Sequence, residues 1–262
     1  MSTRTSAPSI AELRAVTQPA SIFERNSGEH WAGRLYMRRV SPYCTRLLLR
    51  TPLRPNGVTW LMIAAGVAAA AVLTLPGIWP AAAAVVLIQL QLLLDCSDGE
   101  LARWTGRKSV AGIYLDRLGH YLTEALLPVG LGIRADGGWE HLGGWTTLGL
   151  VVAVLVLLVK SETALVTLAR AEAGLERAAD TRAVAAPRAA GLAAVRRALG
   201  RMPFYRAFVA MEATLLALAA AIGDEIVGGL DVTRGLLIAL VPIAAITAAG
   251  HLLAILTSSR LR

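Results

Sequence analysis

The chain has 262 residues, of which 55% are hydrophobic, 17% charged and only 5% aromatic, and it carries a net charge of +8. A water-soluble globule of this size cannot hide so much aliphatic surface, and disorder is excluded for the same reason; glycine without a period and two cysteines exclude collagen-like and disulfide-framed classes. What remains is an all-α integral membrane protein, with a mean hydropathy of +0.56.

Residues 1–20, rich in Ser, Thr, Pro and Ala, read as a mobile tail without the apolar core and small-residue cleavage site of a signal peptide. From Trp31 to Leu53, the residues Arg34, Arg38, Arg39, Arg46 and Arg50 mix with Trp31, Leu35, Val40, Leu47 and Leu48. That pattern suits an amphipathic helix lying on an anionic lipid surface, broken at Pro42. Residues 1–54 thus read as an N-terminal arm and residues 55–262 as the membrane domain. No residue between Arg54 and Asp95 is ionisable, a stretch about twice the roughly 20 residues one span needs. Pro76, Gly77 and Pro80 with Trp79 break it, giving a hairpin of about Asn56–Leu75 and Ala81–Arg103. Further spans are expected at Ser109–Ile133, Gly143–Val159, Pro203–Ile222 and Gly235–Thr257, so the fold is six transmembrane helices behind an amphipathic interfacial helix. The loop over 176–200, rich in Ala and Arg, has room for another surface helix.

Lys and Arg fall on alternate connections. The arm, the short loop with Arg103, Arg107 and Lys108, the long loop from Arg170 to Arg201, and the C-terminal Arg260 and Arg262 are all basic, whereas the opposite loops are poor in positive charge. The positive-inside bias therefore predicts a multi-pass plasma-membrane protein with both termini cytoplasmic. Cys44 and Cys96 then face a reducing compartment and read as packing residues.

Charged side chains inside spans are costly, so a cluster of them points to function. Asp95 and Asp98 are spaced i, i+3 at the end of the second span; Asp116 and His120 are spaced i, i+4 on the third, with Glu124 one turn further. Each spacing places its side chains on one helix face. A short connection makes the two helices antiparallel neighbours, and with Asp98 about 7 Å before Arg103 and Asp116 about 10 Å after Ser109, the pairs meet at one depth. Carboxylates and imidazole converging in a low dielectric need cations, and oxygen ligands point to Mg²⁺ or Mn²⁺, as a pair of ions, serving phosphate chemistry. Arg103 at the same level suits a phosphate, and Gly99 and Gly112 clear space for a nucleotide beside the helix backbones. Interhelical salt bridges alone would require more cations than Arg103.

These residues resemble the signature of the CDP-alcohol phosphotransferases, D-x-x-D-G-x-x-A-R-x8-G-x-x-x-D-x-x-x-D. Asp95, Asp98, Gly99, Ala102, Arg103, Gly112 and Asp116 match at the right spacing, and Pro55, Asn56 and Thr59 resemble the start of the family's first span. The resemblance covers about residues 50–258. It implies that Asp95, Asp98, Asp116 and the residue at position 120 hold divalent metals. Asn56, Thr59, Gly99, Ala102, Arg103 and Gly112 would form the nucleotide pocket. An acceptor hydroxyl would attack the phosphoryl group of CDP-diacylglycerol or another CDP-alcohol and release CMP, as in phospholipid biosynthesis. The resemblance also implies a homodimer with a cytoplasm-facing site.

The signature's last Asp is His120 here. Either the imidazole takes the hydroxyl proton as general base, or the protein is a catalytically degenerate CDP-binding membrane protein of the same fold. Imidazole in place of carboxylate favours Mn²⁺ or Zn²⁺ over Mg²⁺. Glu124, on the same face, is an alternative base. For the acceptor, a small polyol or phosphorylated alcohol, the stretch from Ala169 to Leu175 resembles the phosphatidylinositol-phosphate synthase branch, which makes Lys160, Arg170 and Arg206 candidate acceptor-binding residues. A transporter fits less well, because the acids crowd one end of the spans rather than the midplane. Nucleic-acid binding is not expected, since the Arg residues follow topology and no basic-aromatic platform accompanies them.

Overall fold

The computed structural model describes residues 8–19, 31–176 and 204–261, and these hold helices and turns with no strand among them. The helices are α1 (Ile10–Thr17), α2 (Arg38–Leu48), α3 (Pro55–Leu73), α4 (Ile78–Thr105), α5 (Val110–Ala135), α6 (Gly144–Glu172), α7 (Ala210–Val227) and α8 (Asp231–Thr257). By length and composition α3, α4, α6 and α8 are long and apolar enough to cross a membrane. The charges of α5 (Asp116, Arg117, Glu124, Arg134) and of α7 (Glu212, Asp224, Glu225) set those two helices apart. The chain forms two compact units, one from Met1–Ala68 with Val86–Leu122, the other from Ala69–Val85 with Thr123–Arg262.

Two boundaries differ from the expected spans by the most residues. The fourth expected span, α6, does not end at Val159 before Lys160 but runs on to Glu172. The Lys160 ammonium meets Glu124 at 2.9 Å, and no Gly or Pro follows until Gly174. The fifth helix begins at Ala210, after a 3₁₀ turn over Phe204–Phe208. Pro203 and the surface helix expected over 176–200 lie outside the described residues, except for Glu176.

The N-terminal tail reading is also corrected. Residues 10–17 form a helix because Ser9 and Glu12 make a capping box: the Glu12 N–H donates to Ser9 Oγ at 3.2 Å, and the Ser9 N–H donates to Glu12 Oε2 at 2.7 Å. Leu13 and Thr17 are fully buried. A π-turn over Gly33–Met37 leads into α2, which carries Pro42 inside it rather than breaking there. Pro42 has no N–H for the Arg38 carbonyl, and Gln18 Nε2 donates to that oxygen instead, at 2.8 Å. In the first unit Leu48, Val58, Met62, Ile63, Leu94 and Leu101 form the core, with Cys44 packed against it.

The second unit packs through small residues. Ala69, Ala70, Ala84, Ala217, Ala220, Ala221, Ala244 and Ala248 are buried, whereas Leu150, Val154, Leu158, Leu165 and Leu168 of α6 point outward. Small residues inside and aliphatic residues outside are the arrangement of helices packed in lipid. At Gly130 a Cβ would lie 2.5 Å from the Ala70 carbonyl oxygen, so only glycine permits that approach. Polar side chains close the helix ends. Asp136 accepts from the Gly143 and Thr146 amides, both at 2.8 Å, and from Thr146 Oγ1 at 2.6 Å. Partial burial pushes the Asp136 carboxyl up, but the Thr146 and Gly143 hydrogen bonds outweigh it and hold the carboxyl below the ordinary aspartate range. Asp224 accepts in the same way from the Val232 and Thr233 amides at 2.9 and 3.1 Å. Buried Arg134 donates Nη1 to the Leu75 and Gly77 carbonyls at 2.7 and 3.0 Å.

Gly130→Ala should destabilise the purified protein by about 1–3 kcal/mol, because backbone cannot yield as a side-chain tip can. Gly250→Ala, where nothing lies within 4 Å, should be neutral or stabilising by about 0.5–1 kcal/mol. Thermal unfolding in detergent checks both. In the same assay Asp136→Ala should cost about 0.5–2 kcal/mol at neutral pH. That loss should shrink as the pH falls through and below about 4, since a depressed carboxyl stabilises only while ionised.

Candidate metal and nucleotide site

The signature residues straddle the turn between α4 and α5, in the first unit. Gly106, at φ 68°, ends α4 in the left-handed conformation, and the Arg107 N–H donates to the Ala102 carbonyl at 3.1 Å. Ser109 opens α5, its Oγ accepting from the Gly112 amide at 3.0 Å. The same hydroxyl donates to Asn56 Oδ1 at 3.2 Å, which ties the start of α3 to this turn. A Cβ on Gly112 would lie 2.9 Å from Asn56 Oδ1, so the glycine makes room for that side chain.

On the facing helices, His120 Nε2 lies 3.1 Å from Asp95 Oδ1 and 3.7 Å from Asp116 Oδ1. Each of the three offers one ligand atom, and the three atoms lie within 4.8 Å of one another. The two carboxylates repel each other, and either a bound cation or a protonated His120 relieves that repulsion. Two oxygens and a nitrogen fit Mn²⁺ or Zn²⁺, and accommodate Mg²⁺ less readily. The side chains of Asp95, Asp116 and His120 are 23%, 43% and 39% exposed, so the group is open to an incoming ion.

Asp98, expected in the same set, stands beside it. It is buried and accepts from Thr59 Oγ1 at 2.6 Å, near enough to Asp95 and Asp116 to feel their charges. Thr59 also donates to the Pro55 carbonyl at 3.2 Å, so the first turn of α3 sets that hydroxyl. Arg103 donates Nε to the Thr17 carbonyl at 2.6 Å, and a Cβ on Gly99 would lie 3.1 Å from Arg103 Nη1. The space at Gly99 is therefore taken up, in this chain, by the guanidinium of its own signature arginine.

The candidate acceptor residues belong to the second unit. Lys160 pairs with Glu124, the alternative base; Arg170 donates Nε to the Glu176 carbonyl at 2.8 Å and Nη1 to the Arg260 carbonyl at 3.1 Å; Arg206 is exposed in the 3₁₀ turn. Lys160, Glu124, Val156, Phe208 and Thr247 line a cavity of about 150 Å³.

Two groups escaped the sequence reading. Ser109 had a visible signal, a serine directly before a helix whose third residue is glycine. Glu100 had none: it is fully buried and accepts from Gln18, Ser41 and Thr45, partners scattered over the arm.

The model of the CDP-alcohol phosphatidyltransferase family matches residues 53–255. Among curated proteins, the chain is similar to an archaetidylinositol phosphate synthase of Aeropyrum pernix, 42% identical over 81 residues, which is 31% of this chain and 40% of the relative. It is also similar to the inner membrane protein YnjF of Escherichia coli, 36% identical over 118 residues, 43% of this chain and 54% of the relative. The chain thus aligns with only about half the length of these relatives, or less. A family match over most of the length, on residues that cluster as described above, places the chain in the CDP-alcohol phosphatidyltransferase family.

Proposed function

We propose that the protein is a membrane phosphotransferase that moves a phosphatidyl or similar substituted phosphate from a CDP-linked donor to an alcohol. The convergence of Asp95, Asp116 and His120 beside Asp98 and Arg103 carries this reading. The acceptor oxygen forms a bond to the phosphorus bearing the lipid alcohol. The bond from that phosphorus to the oxygen bridging it to the cytidylate breaks, CMP departs with the electron pair, and the hydroxyl proton passes to a base.

Asp95, Asp98, Asp116 and His120 are the residues that would hold divalent metal, Mg²⁺ or Mn²⁺, which supplies charge neutralisation for the diphosphate. Arg103 steadies the phosphates, and Asn56, Thr59, Gly99, Ala102 and Gly112 shape the nucleotide pocket. His120, oriented by Asp95 at 3.1 Å, accepts the proton or completes the ligand set, with Glu124 the alternative base. Lys160, Arg170 and Arg206 are the candidates for a small polyol or phosphorylated alcohol. CDP-diacylglycerol is the leading donor, and the similarity to an archaetidylinositol phosphate synthase favours a phosphorylated polyol as acceptor.

The setting is part of the proposal: six spans including α5 and α7, an arm whose Arg residues lie on anionic lipid, both termini and the site cytoplasmic in the plasma membrane, and a homodimer. The outward face of α2, with Val40, Tyr43 and Leu47 at 46%, 60% and 63% exposure, supports contact with lipid. The second reading, a CDP-binding protein without turnover, rests on His120 standing where the signature has Asp.

Purified protein with CDP-diacylglycerol, Mn²⁺ or Mg²⁺ and a panel of alcohols should release CMP and form a new lipid; chelation should stop it, and no CMP from any combination contradicts the proposal. His120→Ala should lower turnover by about a hundredfold or more, the scale of a lost general base. His120→Asp should keep activity and shift the preference toward Mg²⁺. Unchanged turnover in the alanine variant would remove His120 from the chemistry.

A further inference from the structure

Glu100 lies inside the signature stretch but outside the signature itself, and its side chain is fully buried. A buried carboxylate survives only when its oxygens are supplied with donors. All of its described partners come from the arm. Ser41 Oγ and Gln18 Nε2 donate to Oε1 at 2.6 and 2.8 Å, Thr45 Oγ1 donates to Oε2 at 2.7 Å, and Arg38 Nη1 lies 3.7 Å from Oε1.

Glu100 and Arg103 are three residues apart on α4 and share a face. Two consecutive residues of the arm grip them. The Gln18 side chain holds Glu100, and the Thr17 carbonyl holds Arg103 Nε at 2.6 Å. Gln18 is itself fixed, because its amide also donates to the Arg38 carbonyl that Pro42 leaves without a helical donor. Arg14 Nη2 adds a bond to the Arg39 carbonyl at 2.9 Å. The guanidinium of Arg103 is thereby set over Gly99, within electrostatic reach of Asp98, and Arg38 lies within such reach of Asp95.

We propose that Glu100 is a positioning residue: it fastens the N-terminal arm to α4 so that the Thr17 carbonyl fixes the Arg103 guanidinium beside the acidic cluster, aimed for the diphosphate of the donor. This rests on the reading of Arg103 as a phosphate-binding residue. An arginine whose Nε is already anchored loses less rotamer freedom when it binds phosphate, which is the gain from such a fastening. The arm then belongs to the nucleotide site, in addition to any contact with lipid.

The test uses the full-length chain in detergent. Hydrogen exchange at residues 10–18 should rise in Glu100→Ala and in Gln18→Ala, as the arm lets go. The KM for CDP-diacylglycerol should rise roughly tenfold in both, the scale of one charge-assisted hydrogen bond, with kcat changed less. In an Arg103→Ala background, Glu100→Ala should add nothing to KM, since both act through one guanidinium. Gln18→Ala leaves the other donors of Glu100 in place and keeps the test available if Glu100→Ala does not fold. A purely structural role predicts less folded enzyme with an unchanged KM, and effects additive with Arg103→Ala; either result overturns the proposal. Wild-type protein that turns over while both variants keep its KM removes the role of Glu100 alone. Wild-type protein that neither binds CDP nor releases CMP removes the reading of the site on which it rests.

Discussion

A carboxylate placed among apolar helices must be met by hydrogen-bond donors or by a cation, because leaving it bare costs several kcal/mol. Among the described residues, five acids answer that constraint in different ways. Asp98 takes the Thr59 hydroxyl, Glu100 takes three side chains of the arm, Glu124 takes Lys160, and Asp224 takes two amides and a hydroxyl at the start of α8. Asp95 is the exception in kind. Its neighbours are His120 and Asp116, and the three offer ligand atoms within 4.8 Å of one another, a group that could hold a metal ion.

The site was legible because helix geometry needs only spacing. With i, i+3 and i, i+4 pairs on two helices joined by a short turn, Asp95, Asp116 and His120 had to converge, and they do. Membrane helices were legible for a similar reason, since a run such as residues 55–94 admits no other solvent than lipid. The sequence reading failed where long-range partners override local pattern. Lys160 looks like a helix terminus until Glu124 appears against it. Residues 10–17 look like a tail because they sit in a stretch, residues 1–20, rich in Ser, Thr, Pro and Ala. The Ser9–Glu12 capping box was the available signal, and the burial of Leu13 and Thr17 depends on contacts that no local window contains. Glu100 was invisible for the same reason.

Packing and chemistry are divided between kinds of residue. Alanine and glycine let helices approach, as at Gly130 against Ala70, while leucine and valine are left facing outward. Glycine serves the site differently: Gly112 yields its place to Asn56, and Gly99 to the guanidinium of Arg103. An alanine at either position would move a neighbouring side chain rather than the backbone, so these glycines bear on geometry at the site more than on stability. The net charge of +8 resolves into arginines with specific partners in the arm and others that follow the proposed topology.

The reading stands or falls on whether the Asp95–Asp116–His120 group and a nucleotide phosphate share one divalent ion. Pulsed electron paramagnetic resonance of Mn²⁺ bound to the purified protein with CDP tests it most directly. The expected spectrum shows a ¹⁴N coupling that disappears in His120→Asp while Mn²⁺ stays bound, together with a ³¹P coupling that requires CDP. Bound Mn²⁺ showing neither coupling, or no bound Mn²⁺ at all, would contradict it.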